Sequence, residues 1–533
     1  MRKKKFYRFL IFIACSIIKE IHGKGGVFLA TLEKTVQSFK ELVKKMKHYN
    51  EAISLIYWDL RTGAPKKGVK QRSQVIGTLS SEVFRMATSD EMKEYLDVLG
   101  EEVEGGDMDE VTRAMVREAK KEYDLAVKIP PERHQAFVVL TSQAEAVWED
   151  AKKNSDFSLL QPYLEKIVAF QKEFIGYWGY KDHPYDTLLD QYEPGITVKE
   201  LDPLFANLRA KIVPMVQAVT SSPVKPKVEI VKQPYPIEQQ RAFCHFILDK
   251  MGYDFEAGRL DRTAHPFAIG LNPKDVRVTN RYNPNDIREA IFGAIHEGGH
   301  ALYEQNIDPK LTGTNLADGT SMGIHESQSR FYENIIGRSL PFWQAYFDDL
   351  KRYFPRQLEG VQVEDFHFAV NESIPSLIRT ESDELTYNLH IMIRYELEKR
   401  LISGELQVAE LPGVWNEMMK EYLGIVPEKD SEGVLQDIHW AGGSFGYFPS
   451  YSLGNLYAAQ LEHQLRIEHP DYEEKIRNGE IRFVREWLTE KVHRYGKMLR
   501  PREIILKATG EPLNARYLTD YLEKKYKALY HLG

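Results

Sequence analysis

The stretch NPNDIREAIFGAIHEGGHALYEQ, Asn283 to Gln305, decides how the chain is read. Ile287, Ile291 and Ile295 recur at helical spacing and mark a face turned to a core. Asn283 is a capping residue, Pro284 suits a first helical position and Asp286 suits the positive end of a helix dipole. The segment is therefore expected to be a helix beginning at Asn283. Gly298 and Gly299 nevertheless stand side by side within it, and each costs a helix about 1 kcal/mol relative to alanine. Their presence implies that another backbone, or a ligand, passes close to that surface; tight helix packing fits them equally well.

Between and beside those glycines lie His296, Glu297 and His300. Four residues of helix return about 40° from eclipsed, so both imidazoles can reach one ion. Glu297 projects about 100° round from His296 and can face a water without ligating. This is the H-E-x-x-H arrangement of zinc peptidases. Such a site needs a third protein ligand and one open position. The segment GIHESQSRFYENIIGRS, Gly323 to Ser339, offers Glu326 at the start of a second helical pattern, with His325 and Glu333 as alternatives. A ladder of Glu326, Arg330 and Glu333 along one helix face is the competing reading. A His2Glu set favours Glu326 and makes the metal ligands His296, His300 and Glu326, with Glu297 as catalytic base.

Working outward, most of the 533 residues repeat the helical pattern. Helices are expected over Leu32–Leu60, Asp109–Ile129, Leu159–Tyr180, Leu201–Thr220, Ile374–Gly404 with Gly404 as its C-cap, and Arg482–Leu499. Ser221 to Pro236 reads as a proline-punctuated loop with one short strand, and Lys274 to Tyr282 as a second strand. The fold class is mainly α with a small β element. The 71 basic and 78 acidic residues leave a net charge of -7, which argues against nucleic acid as a partner. Two cysteines, Cys15 and Cys244, make no disulfide framework.

Residues 1–28 stand apart. Their basic start and the apolar run Phe9–Ile18 resemble a signal peptide or short anchor, yet the run is too short for a comfortable span. Lys24-Gly25-Gly26 can be encoded by a ribosome-binding sequence, which would put the translation start at Leu29. The expected organisation is a misassigned start or signal-like extension over 1–28 and one catalytic domain over 29–533.

Several motifs in order resemble the carboxypeptidase Taq family of metallocarboxypeptidases. They are HPF (265–267), DVRVT (275–279), HEGGH (296–300), HESQ (325–328), IRTESDE (378–384) and GVLQDIHW (433–440). The family more often has alanine where Ser382 stands. The likeness runs from about Leu32 to the end and leaves residues 1–28 without a counterpart. It implies a large helical peptidase with a deep central cleft, related in architecture to neurolysin and angiotensin-converting enzyme. It also implies a cytoplasmic homodimer that removes single C-terminal residues from peptides with broad preference, using one zinc or cobalt ion per subunit. By the same likeness, His439 and Tyr447, in a glycine-rich bend that also holds Tyr451, would stabilise the oxyanion. Arg379 would bind the terminal carboxylate, its alternative being a helix pair with Asp383. The strand holding Arg277 would lie along the substrate backbone, and His265 would line the cleft. An endo-oligopeptidase or dipeptidyl carboxypeptidase is the nearest alternative. A non-catalytic peptide-binding protein and a membrane-anchored surface protein are more distant ones. No stable membrane partner is expected.

Overall fold

The computed structural model describes residues 32–103 and 108–533. The reading of residues 1–28 lies outside them. Among the described residues the fold is a large helical one with a single small sheet. Among the described residues, no helix is long and apolar enough to cross a membrane. The chain forms two compact units. The smaller comprises the described residues up to Tyr57, those of Pro65–Val127 and Gly313–Leu316, and the larger comprises the other described residues. In the smaller unit the helix Glu110–Lys128 buries Ala114, Met115, Val116 and Ala119 on one side. All nine residues singled out above as ligands, catalytic groups or substrate contacts belong to the larger unit.

Five helices and three strands of the larger unit position the site. They are α1 (Ile237–Met251), β1 (Leu260–Arg262), β2 (Ala268–Asn272), β3 (Asp275–Asn280), α2 (Ile287–Gln305), α3 (Met322–Arg330), α4 (Tyr387–Ser403) and α5 (Pro449–Glu468). Helix α2 begins later than expected. Asn283 spends its side chain on an Asx turn, accepting from the Asn285 amide, and Asp286 becomes the cap by accepting from Arg288 N. The expected stripe of Ile287, Ile291 and Ile295 is buried, but so are Ala290, Phe292, Ala294, Ala301 and Tyr303. A helix apolar on nearly every side belongs in the interior, and α2 is that interior element.

The sheet order is β1-β3-β2, with β3 parallel to β1 and antiparallel to β2. This corrects the expectation that Asp275–Thr279 lies along a substrate backbone. Both edges of β3 are already filled: Val278 N donates to Arg259 O, Tyr253 OH donates to Val276 O, and β2 covers the other side. Two further expectations also change. Ser221–Pro236 holds a 3-10 turn at Val228–Ile230 and no strand. The helix expected from Ile374 starts only at Tyr387, because Asp383 accepts from the amides of Ile374, Leu385 and Thr386 and caps the segment there. Gly404, with φ of 88°, ends α4 as expected.

Candidate metal centre and its surroundings

Helices α2 and α3 bring His296, His300 and Glu326 together. His296 Nε2 lies 3.7 Å and His300 Nε2 3.4 Å from Glu326 Oε2. One potential ligand atom from each residue lies within 4.8 Å of the others. Ligand atoms about 2.0–2.1 Å from a tetrahedral ion stand about 3.4 Å apart, so two imidazoles and one carboxylate here fit a zinc-like divalent ion.

The glycine pair is explained by this approach. A Cβ on Gly299 would sit 2.5 Å from Gln328 O and 2.7 Å from Ser329 Cα, the backbone of α3. One on Gly298 would meet Leu248 of α1 at 2.4 Å. The ligand helices can lie this close only without side chains between them. Helix α5 does the same from the far side, since a Cβ on Gly454 would reach Glu326 Cγ at 2.5 Å.

A second layer of side chains orients the three. His296 Nδ1 donates to Glu333 Oε2 at 2.9 Å. His325 Nε2 lies 2.8 Å from Glu304 Oε1, so it carries the proton there; its Nδ1 then accepts from His300 Nδ1 at 2.7 Å. Both ligand histidines are thus fixed with a free Nε2 lone pair facing Glu326. Glu326 Oε1 accepts from Arg330 Nε at 2.7 Å, and Oε2, which also accepts from Ser329 Oγ at 3.1 Å, faces the imidazoles. The ladder that competed with ligation is therefore present together with the converging His296, His300 and Glu326. His325 and Glu333, weighed as alternative ligands, stand behind the two imidazoles, His325 against His300 and Glu333 against His296.

Burial raises the cost of charge throughout this cluster and neighbours decide the outcome. Burial would push Glu326 up, but Arg330, His296 and His300 hold it well below the usual carboxylate range. Glu333 is held down to about 2, against its burial, chiefly by Arg330 and His296. Burial lowers His300 to about 4, keeping it neutral and ligand-ready. Burial pushes Glu297 up to about 7, a value suited to taking and returning a proton near neutrality.

The loop from Gly433 to Phe448 carries the other predicted catalytic groups. His439 Nε2 lies 3.3 Å from Tyr451 OH, and its ring is 5.4 Å from that of Tyr447. Burial pulls His439 down to about 4. Tyr447 is raised by its burial and by the Glu326 charge. Arg379 does not pair with Asp383. Its Nε and Nη2 donate to Asp437 Oδ1 at 3.1 and 2.8 Å, its Nη1 to Tyr387 OH at 3.2 Å, and its guanidinium lies over the Tyr451 ring. Arg394, fully buried, binds the other oxygen of Asp437. Arg277 is clamped bidentately by Asp275 and stands over Trp58. His265 is exposed, two residues before Phe267, whose ring packs against Trp58.

Sequence reasoning missed two buried carboxylates. Glu193 accepts from Gly323 N and Tyr457 OH and so ties the start of α3 to α5. Glu398 accepts from Tyr185, Trp440 and Gly446. Neither sits in a motif; Glu398 has apolar helix neighbours that hint at burial, while Glu193 lies in a turn between two helices and gives no such sign.

A family model described as Carboxypeptidase Taq (M32) metallopeptidase matches residues 38–526. Carboxypeptidase 1 of Bacillus subtilis is 53% identical over 496 residues, which is 93% of this chain and 99% of that protein. Thermostable carboxypeptidase 1 of Thermus thermophilus is 42% identical over 513 residues, covering 94% of this chain and 100% of its own. Among solved structures, the M32 carboxypeptidase of Deinococcus radiodurans superimposes with a TM-score of 0.90 at 35% identity, over 93% of this chain and 100% of its own.

Proposed function

The chain belongs to the carboxypeptidase Taq family of metallopeptidases, and from that premise we propose that it releases single residues from peptide C-termini with broad preference. The catalytic unit of the proposal is one domain over 29–533, working as a cytoplasmic homodimer. The observation that carries the reading is the convergence of His296 Nε2, His300 Nε2 and Glu326 Oε2 beside the buried Glu297. A divalent ion on those three atoms, zinc with cobalt as the alternative, would polarise the scissile carbonyl and acidify a water. Glu297 takes the proton of the attacking water and returns it to the leaving amine. His439, kept neutral by burial, and Tyr447 donate hydrogen bonds to the oxyanion.

Recognition of a free C-terminus requires positive charge at the end of the substrate path. Arg379 and Arg394 share the single carboxylate of Asp437, so the cluster has one positive charge over. Arg379 is the member beside Tyr451 and is assigned to the terminal carboxylate. Arg277 and His265 line the approach on the sheet side, Arg277 through its side chain because β3 has no free edge.

The test is product analysis by mass spectrometry on one peptide with a free C-terminus and the same peptide amidated. Single-residue ladders from the free peptide and a rate at least about tenfold lower on the amide are expected, since the amide forfeits a charge-assisted bidentate contact. Equal cleavage of the two removes the exopeptidase claim, and internal fragments turn the reading towards an endo-oligopeptidase.

A further inference from the structure

Helix α4 carries a carboxylate that the mechanism above does not use. Glu398 is fully buried and lies four residues after Arg394. Its Oε1 accepts from Trp440 Nε1 at 2.7 Å. Its Oε2 accepts from Gly446 N at 2.8 Å and from Tyr185 OH at 2.5 Å. Two of these donors belong to the glycine-rich loop. Trp440 directly follows His439, and Gly446 directly precedes Tyr447. One side chain therefore grips the loop beside each of the groups assigned to the oxyanion, and it does so from a regular helix.

We infer that Glu398 is the positioning residue of this reaction, setting the spacing of His439 and Tyr447 by holding the two ends of the loop between them. The inference rests on the reading of those two residues as oxyanion donors. The third donor fits the same role: Tyr185 lies seven residues before Tyr192, whose ring stands edge-on to Tyr447 at 5.1 Å. Burying a carboxylate is costly unless its lone pairs are satisfied, and burial pushes Glu398 up to about 7 while the three donors oppose that rise. A glutamine cannot replace it. Its single carbonyl oxygen can serve at most two of the three donors and its NH2 faces the third, so one end of the loop is released.

The experiment compares Glu398→Gln, Tyr447→Phe, His439→Gln and the double variants that pair Glu398→Gln with each, all as the metal-loaded full chain. Expected for Glu398→Gln is a fall in kcat of about 10- to 100-fold, the range for a donor displaced by about 1 Å, with KM within about twofold of wild type. Adding it to Tyr447→Phe or His439→Gln should cost clearly less than it does alone, because the group it positions is already gone. General weakening of the fold would instead multiply through every background. If Glu398→Gln does not fold, Tyr185→Phe deletes one donor and keeps the ring, Trp440→Phe deletes another and leaves a smaller aromatic ring, and both should lower kcat in the same direction. A Glu398→Gln enzyme (or, failing its folding, both single-donor variants) with kcat within twofold of wild type overturns the inference. So does a loss that multiplies fully in the doubles. In either case the oxyanion reading stands if Tyr447→Phe or His439→Gln is impaired. No loss in Tyr447→Phe and His439→Gln overturns both.

Discussion

Glu297→Gln is expected to keep its divalent cation and lose about 10²- to 10⁴-fold in kcat, the contribution of a positioned general base. The substitution preserves shape at a position nearly closed to water, with Glu297 8% exposed. An amide cannot accept and return the water's proton. Its burial is no harder than that of the acid, whose charged form the site already disfavours. None of the bonds that orient His296 and His300 involves position 297, so metal content by mass spectrometry should match the wild type. Turnover above a tenth of wild type would remove Glu297 from the proton path. Loss of the metal would assign it a structural part instead.

Asp437→Asn should be among the most damaging changes to stability, costing about 3–5 kcal/mol, the usual penalty for leaving a buried charge unpaired. Arg394 is fully buried and the Arg379 side chain is 7% exposed, and both depend on this one carboxylate. Burial would raise Asp437, but Arg394 and Arg379 hold it far below the ordinary carboxylate range. Its stabilisation is therefore present above the unfolded value of about 3.9 and is lost as pH falls further towards the folded one. The thermal midpoint at neutral pH should drop markedly, and the gap from wild type should narrow in strong acid. Since residue 437 lies two before His439 and anchors Arg379, kcat/KM on free peptides should fall as well. An unchanged midpoint would show that the two guanidiniums find other partners.

The parts of the site that could be read directly were those written in a local period. His296 and His300 share a helix face whatever surrounds them, and Glu326 stands out because His2Glu is a familiar catalytic set and the residue opens a second helical pattern. What failed was non-local or depended on competition between neighbours. Asn283 lost the cap to Asp286 because a proline and an Asx turn intervened. Arg379 chose Asp437, 58 residues on, over Asp383, four residues on, since Asp383 was already spent on backbone amides. Val276 and Val278 identify a strand but not whether its edges are free, and here both are taken. Glu193 and Glu398 look like ordinary helix or loop acids until the donors around them arrive from distant segments.

The pairing of Arg330 with Glu326 and of Arg338 with Glu333 has one further consequence. Two guanidiniums already offset two carboxylates, so the donor set is not a knot of repulsion waiting for an ion to relieve it. Unlike a zinc finger, whose folding is inseparable from its metal, this scaffold is expected to keep its helical circular dichroism and its thermal midpoint when a chelator holds divalent ions away from it.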